Sequence, residues 1–346
     1  MAVTVAQTLL QRLAGRDNDY DPIIASLSRN LRAGWHDPSP RSDARGTSVS
    51  VVIAARNSAY CLPSVLDALA RQETDGKYEV IVVDDASTDS TGQIAAAHPV
   101  TSIVWRLPQQ VGSGPARNVG TMLAEAPTVV YLDADMALPR HVLATLAGRA
   151  HDDLVLVGFR QNVPFQEGPK GVAVVPAGEP DLTADHRVVW RPPTGVPMFY
   201  TGMVFDKPVN GKPLDDTDEF RALGHGQRYY DWDLPRMVVT ALVAVPRARV
   251  VACGGFDPGF SEGWGCEDTY LGARLIAAGC KVAPVRSVRG FHLDPPQAEQ
   301  VWQQKFATAA RNVERYWRLL DTPDNTAPLT KQPSALKLIT EGIQLK

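Results

Sequence analysis

The chain has 346 residues, of which 44% are hydrophobic and 21% are charged, and its formal net charge at pH 7 is −3. This length supports a sizeable core in one large domain or two moderate ones. The charge excludes a general attraction to nucleic acid or to an anionic membrane, so an anionic ligand would need a local site.

The first 46 residues are predicted to form an N-terminal helical extension and linker. Apolar residues from Leu9 to Leu13 favour a short amphipathic helix, and a polar, Pro/Gly-containing stretch covers 35–47. We expect the helix to pack on the body. The alternatives are a dimer contact and, least favoured, contact with a membrane surface. The start of the chain lacks the features of a signal peptide.

From residue 48, apolar β-branched runs alternate with helical patterns. This alternation predicts an α/β fold with a mostly parallel, Rossmann-like sheet that helices cover on both faces. The predicted strands are 48–54, 78–85, 102–107 and 128–135. Three helices are predicted between them: one begins at Pro63, one has Asp89 as its N-cap, and one begins at Gly114-Pro115.

The pattern loosens after about residue 160. Residues 161–236 are rich in proline, glycine and aromatic residues, which is typical of lids and binding loops. Further elements are predicted at 238–245 (strand), 269–279 (helix), 281–285 (strand) and 297–320 (helix), and the tail from Thr322 is expected to be loosely held. The longest apolar run is too short to span a membrane.

Four cysteines occur without a CxxC pair, namely Cys61, Cys253, Cys266 and Cys280. This usage is typical of reduced thiols in a cytosolic protein, so we expect a soluble, cytoplasmic chain. Cys266 lies among polar residues, where a nucleophile is one interpretation. We favour a small buried side chain, because no thiol-activating partner is evident.

Two carboxylates, Asp133 and Asp135, leave the fourth strand in "YLDADM". Oxygen ligands at this spacing suit Mg²⁺ or Mn²⁺, although a solvated turn at the strand end is the alternative. The preceding "QVGSGPARN" places Gly114 and Arg117 at a helix start, which is suited to phosphate. Asp84 and Asp85 end the second strand, where they either bind a base or ribose or cap the next turn.

A second carboxylate pair, Glu267 and Asp268, follows Trp264 in "EGWGCED". An aromatic face with carboxylates suits a sugar, and one carboxylate could act as a general base, whereas Asp268 could simply cap the next helix. His292 follows the last predicted strand. A lone histidine is more often structural, but with these aspartates it could complete a metal shell.

Together these motifs resemble those of glycosyltransferase family 2, which has the GT-A fold. The resemblance covers about Val49 to Pro295 and is carried by "VSVVIAARN", "EVIVVDDASTD", "GPARNVG", "VVYLDADM" and "GGFDPGFSEGWGCED". The "GWGCED" loop and the later "GFH" are similar to those of galactosyltransferases and polypeptide GalNAc-transferases. Ala54-Ala55 replaces the family's Pro-Thr, and Thr240-Ala241 replaces its Gly-Asn, so the identity of the sugar stays open.

The resemblance implies an inverting transferase with a nucleotide-sugar donor, usually a UDP-sugar, and a divalent metal, Mn²⁺ or Mg²⁺. It implies Asp268 as the catalytic base beside Glu267, and Asp135, His292 and Asp133 at the metal. The implied donor-binding residues are Ala55, Asn57, Asp84 or Asp85, Gly114, Arg117, Asp133 and Trp264.

The resemblance also divides the chain by role. After the extension, 47–150 would bind the nucleotide sugar, 151–296 would bind the acceptor and carry the base, and 297–346 would be a C-terminal helix and tail. The acceptor could be a sugar, a lipid, a natural product or a peptide, and a homodimer is possible. The alternatives are a phosphoryl-transfer hydrolase and a non-catalytic nucleotide-sugar binding protein.

Overall fold

The computed structural model describes residues 7–29, 31, 33–39, 48–185, 203–204, 207–208 and 234–346. Its helices are α1 (Leu9–Ala14), α2 (Asp21–Ser28), α3 (Leu62–Ala70), α4 (Thr91–Ala97), α5 (Ser113–Leu123), α6 (Val142–Ala147), α7 (Arg247–Cys253), α8 (Glu267–Ala277), α9 (Ala298–Leu320) and α10 (Pro333–Glu341). Its strands are β1 (Val49–Ala55), β2 (Tyr78–Asp84), β3 (Ile103–Arg106), β4 (Thr128–Asp133), β5 (Met136–Ala137), β6 (Leu154–Val163), β7 (Met203–Val204), β8 (Lys207–Pro208), β9 (Leu242–Pro246), β10 (Lys281–Leu293) and β11 (Ile343–Gln344).

One nine-stranded sheet, in the order β11-β3-β2-β1-β4-β9-β6-β10-β5, organises the described residues. Strands β3, β2, β1, β4, β6 and β10 run in one direction, and β11, β9 and β5 run in the other. Central strands are buried on both faces because helices cover them, so β1 is almost entirely apolar. The predicted α/β class, with a mostly parallel sheet as in the GT-A fold, is confirmed.

The register of the central strands brings their polar ends to one edge of the sheet. Asp84 of β2 pairs with Ala55 of β1, and Asp133 of β4 pairs with Ala54. Ligands of open α/β sheets bind beyond these carboxyl ends. The carboxylates at the ends of β2 and β4 therefore lie at a common edge of the sheet.

The N-terminal extension packs on the body, as expected. Leu9 and Leu13 of α1 are fully buried in the main core. Further along, Arg149 donates hydrogen bonds to the backbone carbonyls of Gly34, Trp35 and Asp37. The second half of the predicted linker, 40–47, lies outside the described residues, as do 186–202, 205–206 and 209–233 of the predicted lid.

Several predicted boundaries are wrong. The last strand does not end near 285, because β10 continues through Leu293 and pairs with β6 along most of its length. The tail after Thr322 is not loosely held, since it forms α10 and adds β11 to the edge strand β3. Ser90, not Asp89, is the N-cap of α4.

No helix among the described residues has both the length and the apolar character needed to cross a bilayer. The longest of them, α9, has 23 residues, but charged side chains are spread along it.

Candidate active site

A cavity of about 440 Å³ opens beyond the carboxyl ends of β1 and β4. The starts of α5 and α8, the end of β10 and the first half of α9 complete its walls. Of the residues predicted to form the site, Arg117, Asp133, Asp135, Trp264, Glu267, Asp268 and His292 line this cavity. The structure therefore brings both carboxylate pairs, the arginine and the histidine together.

His292 reaches the aspartates through a short antiparallel ladder. The residues after β4 turn directly into β5, which pairs with β10 so that Met136 lies opposite His292. The backbone amide of Leu293 also donates to the carbonyl of Asp135 (2.8 Å). His292 is thus part of a strand, not of a loop after the last strand as predicted, and its position follows from sheet pairing.

One ligand atom from each of Asp133, Asp135 and His292 lies within 4.8 Å of the others. The His292 Nε2 atom is 3.3 Å from Asp135 Oδ1 and 3.9 Å from Asp133 Oδ2. Among the described residues, the buried Asp135 Oδ1 accepts no hydrogen bond and His292 Nδ1 has no partner. Two carboxylates and an imidazole, with an unsatisfied oxygen at their centre, fit a divalent cation such as Mn²⁺.

The two aspartates have different electrostatic surroundings. Burial alone would raise the pKa of Asp133, but Arg117 and then His292 hold it below its usual value. Burial raises the pKa of Asp135, and the neighbouring Asp133 adds to this effect, although His292 opposes it. The charge of Asp133 is thus compensated by the protein, whereas His292 and Lys305 compensate that of Asp135 only in part.

Arg117 connects the two carboxylate pairs. It lies in α5, where its Nη2 donates to Asp133 Oδ1 (2.7 Å) and its Nη1 lies 3.8 Å from Glu267 Oε1. The helix is able to start beside the cavity because Gly112, its N-cap, has φ +94°. Arg117 therefore orients Asp133 and leaves the Oδ2 atom of that aspartate facing His292.

Glu267 and Asp268 are the first two residues of α8. Gly265 and Cys266 precede them with φ values of +81° and +68°, a sharp turn that makes Cys266, not Asp268, the N-cap. Burial and the adjacent Asp268 raise the pKa of Glu267 to about 7. Burial also raises the pKa of Asp268, with Asp133 adding to it, although Arg117 opposes the shift.

The remaining predicted donor residues do not line this cavity. Asp84 pairs with Arg106 (2.8 Å), and both oxygens of Asp85 accept backbone amides, from Val111 (2.7 Å) and Gly112 (2.9 Å). The exposed Asn57 accepts hydrogen bonds from Thr88. These contacts join the loops after β1 and β2 to the start of α5.

Ala55 and Gly114 are buried in the same region. Ala55 is 1% exposed and its carbonyl accepts from the Asp85 amide (2.9 Å). A Cβ on Gly114 would lie 3.2 Å from Phe256, so this glycine permits close packing of α5. The structure shows packing roles for both, and their assignment to donor binding stays a prediction.

Sequence reasoning missed several residues that line the cavity. They are Arg160 in β6, and Trp302 and Lys305 in α9. Trp302 and Lys305 were accessible to sequence reasoning, because both lie in the helix predicted at 297–320. Arg160 carried no local signal, because it lies in a strand that the sequence did not reveal.

Two buried asparagines hold the loop that leads to Glu267. The side chain of Asn118, in α5, exchanges two hydrogen bonds of 2.8 Å with the backbone of Phe256. From the other side, Asn312 of α9 donates to the carbonyls of Phe260 (2.9 Å) and Gly265 (2.7 Å). The loop is therefore fixed at both ends by side chains from helices that flank the cavity.

Cys266 is buried, as we favoured. Burial raises the pKa of its thiol well above the usual value, and Asp268 and Glu267 add to the effect. A thiol beside two carboxylates is not activated as a nucleophile.

Two family models match this chain. Residues 50–186 match glycosyl transferase family 2, and residues 221–293 match the N-terminal domain of galactosyltransferase. The first segment includes the Asp133–Asp135 pair, and the second includes the "GWGCED" loop and His292. The resemblance found from the motifs is confirmed.

Relatives and solved structures are similar to this chain over most of its length. The validoxylamine A glucosyltransferase of Streptomyces hygroscopicus subsp. jinggangensis is 31% identical over 287 residues, which are 78% of this chain and 60% of that protein. The chondroitin synthase of Escherichia coli is 27% identical over 294 residues, 82% of this chain and 39% of that protein. This chain therefore spans about three fifths or less of the length of these relatives.

Among solved structures, a mannosyltransferase from Pyrobaculum calidifontis in complex with GDP-Man and Mn²⁺ is similar, with a TM-score of 0.48 and 19% identity. The match covers 92% of this chain and 81% of that one.

Proposed function

Residues 50–186 belong to glycosyl transferase family 2, and from this premise we propose that the protein transfers a sugar from a nucleotide-sugar donor to an acceptor nucleophile. A UDP-sugar is the donor that the family resemblance favours. We further propose that the transfer inverts the anomeric carbon in a single displacement.

One observation carries the proposal, namely that two acidic pairs distant in sequence face one cavity. Asp133 and Asp135 stand beside His292, and Glu267 and Asp268 stand on the other side of Arg117. A displacement at an anomeric carbon needs charge compensation for the leaving diphosphate and a base for the acceptor. The two clusters supply both within one cavity.

Asp133, Asp135 and His292 would hold a divalent cation, Mn²⁺ or Mg²⁺. When bound, such an ion supplies positive charge beside the diphosphate oxygens. Asp135 would be the firmer ligand because its Oδ1 atom accepts no hydrogen bond among the described residues, and His292 and Lys305 offset the effect of its burial only in part. Asp133, whose Oδ1 is bound to Arg117, would contribute its Oδ2 or contact the ribose.

Asp268 would be the general base. Its Oδ1 accepts from the amide of Thr269 (2.8 Å), which orients the carboxylate, and its raised pKa makes it a stronger base than an ordinary aspartate. Asp268 takes the proton of the acceptor hydroxyl, whose oxygen forms the new bond to the anomeric carbon. The bond from that carbon to the phosphate oxygen breaks, and its electron pair leaves on the diphosphate.

Glu267 would position the reacting groups. It lies within reach of the Ser113 hydroxyl (3.3 Å) and of Arg117 (3.8 Å), so it ties the start of α8 to the start of α5. In this proposal residues 47–150 bind the nucleotide sugar, and residues 151–296 bind the acceptor and provide the base.

The test is a panel of nucleotide sugars, UDP-glucose, UDP-GlcNAc, UDP-GalNAc, UDP-glucuronate and GDP-mannose, each with Mn²⁺ or Mg²⁺. Release of the free nucleotide without added acceptor is measured by chromatography. We expect metal-dependent release from one donor, lost in Asp135→Asn and retained in Asp75→Asn, a change at an exposed loop aspartate.

Two results would contradict the proposal. Tight UDP binding without turnover of any donor, even with a panel of glycoside acceptors, would indicate a binding protein. Hydrolysis of p-nitrophenyl phosphate without nucleotide-sugar turnover would indicate a phosphoryl-transfer hydrolase. The second result would be unexpected, because those hydrolases carry their aspartate pair on the first strand and here it ends β4.

A further inference from the structure

Two cations that line the cavity, Arg160 and Lys305, differ in their pairing from Arg117 and Arg56. Arg117 is bonded to Asp133, and Arg56 donates to the carbonyls of Asp85 (2.7 Å) and Ala86 (2.9 Å). The side chains of Arg160 and Lys305 also line the cavity, yet neither forms an ion pair with any described carboxylate. Half-buried cations lose hydration, so their presence in a cavity indicates a ligand that restores it.

Both cations lie on one side of the catalytic carboxylates. In the sheet, β1, β2 and β3 extend on one side of β4, whereas β9, β6 and β10 extend on the other. Arg160 belongs to β6, and α9, which carries Lys305, follows directly after β10. The side of β1–β3 is the one proposed for the nucleoside, so the two cations stand on the acceptor side.

The surroundings of Lys305 suit a ring-shaped ligand with a charged group. Its Nζ lies 4.6 Å from the centre of the Trp302 ring, which holds the ammonium at the cavity. Trp264 packs edge-on against Trp302 at 5.7 Å and also lines the cavity. Asp294 is attracted to both cations, Asp135 to Lys305, and Asp133 and Asp268 to Arg160. None of these carboxylates forms an ion pair with either cation.

We propose that Arg160 and Lys305 bind an anionic group, a carboxylate or a phosphate, on the acceptor, with Trp264 and Trp302 against its ring. This proposal rests on the proposed function and adds the chemical class of the acceptor. The diphosphate of the donor is also an anion that these cations could bind. The experiment distinguishes binding of the acceptor's anionic group from binding of the donor's diphosphate.

The probes are p-nitrophenyl β-D-glucuronide and p-nitrophenyl β-D-glucoside, which differ in one carboxylate. Transfer to each is measured by mass spectrometry with the donor found in the panel, and UDP affinity with Mn²⁺ is measured by calorimetry. The variants are Arg160→Gln and Lys305→Gln. The matched controls are Arg140→Gln and Lys337→Gln, whose side chains are 67% and 69% exposed.

We expect the wild type to prefer the glucuronide in kcat/KM. Either cavity variant should reduce this preference by about 10- to 100-fold, the range for a lost hydrogen bond to a charged group. The affinity for UDP should stay within about twofold of the wild type, because the proposed diphosphate site is formed by other residues. The two control variants should retain the wild-type preference.

A wild type without preference for the glucuronide would overturn the proposal. So would variants that lose UDP affinity and keep the preference, since the cations would then serve the diphosphate.

If neither glycoside is a substrate, quenching of tryptophan fluorescence reports binding. The proposal is supported if the glucuronide quenches more strongly than the glucoside and this difference disappears in Arg160→Gln. Equal quenching of the wild type by both probes would overturn it. Failure of the proposed function is separate, because the donor panel would then show no turnover.

Discussion

The two sides of the cavity differ in how their charges are balanced. On the side of β1, β4 and α5, Asp84, Asp85, Asp133 and Arg117 are all committed to protein partners. On the side of β6 and α9, Arg160 and Lys305 have no ion-pair partner among the described residues. Charges that are paired within the protein fix geometry before any ligand arrives, whereas charges left unpaired select what binds.

The difference extends to the way in which each side is built. The β4 side is made by strand ends and a helix start that pack directly on the core. The α9 side depends on one long helix, from which Asn312 and Trp302 reach the loop before α8. The first side is thus organised by the sheet, and the second by contacts between distant elements.

The largest effects should follow from changing Asp135 and Asp268, the proposed metal ligand and the proposed general base. Asp135→Asn should abolish Mn²⁺ binding, measured by calorimetry, and lower transfer by about 1,000-fold, because a metal ligand is lost. Asp268→Asn should lower transfer by about 100- to 10,000-fold, the range for a general base, and retain Mn²⁺ affinity. Full activity in either folded variant would contradict its role, and Asp75→Asn serves as the control.

Arg117→Met tests whether the β4 side is held by charge pairing. The side chain of Arg117 is 6% exposed, and its removal leaves the half-buried Asp133 without its main cation. We expect a loss of about 3–5 kcal/mol in the free energy of unfolding, measured in urea. Adding Asp133→Asn should recover part of that loss. If the double variant loses as much free energy of unfolding as the two single variants together, the Arg117–Asp133 pair does not stabilise this side of the cavity.

Asn312→Leu tests the α9 side, because leucine keeps the volume and removes the donor to two carbonyls. Leaving the Phe260 and Gly265 carbonyls without this donor should cost about 2 kcal/mol of stability. Transfer should fall while Mn²⁺ affinity stays unchanged, because the metal ligands lie on other elements. Gln304→Leu, on the exposed face of α9, is the control. An equal loss of stability in that variant would show that the hydrogen bonds of Asn312 do not account for the effect.

The smallest effect concerns pH. The pKa of Glu267 rises from 4.5 to about 7 on folding, so the folded protein binds more protons than the unfolded chain between these values. This contribution to stability is complete below pH 4.5 and is lost as pH rises through 7. In metal-free protein, Glu267→Gln should be more stable than wild type by about 1–3 kcal/mol at pH 8 and nearly equal at pH 4.5. If the melting temperatures of Glu267→Gln and wild type differ by the same amount at pH 4.5 and pH 8, the raised pKa of Glu267 does not affect stability.

The strand-end residues of the β4 side could be predicted from the sequence. The apolar runs of β1, β2 and β4, and the Gly-Pro start of α5, are local patterns that report their own structure. Once these strands are parallel, their polar ends must meet at one edge, so Asp84 and Asp133 follow from periodicity alone. The placement of β6 could not be predicted, because its end runs into a region without regular alternation.

By itself the sequence determined the class of fold, the carboxylates at the strand ends and the resemblance to family 2, because these depend on residue type and short-range spacing. Tertiary structure alone decided that β5 pairs with β10 and so brings His292 to Asp135. It also decided that Arg117 pairs with Asp133, that the tail joins β3, and that Arg160 and Lys305 meet in one cavity. The physical reason is that these contacts depend on strand order and helix packing across the whole sheet, and no local pattern encodes either.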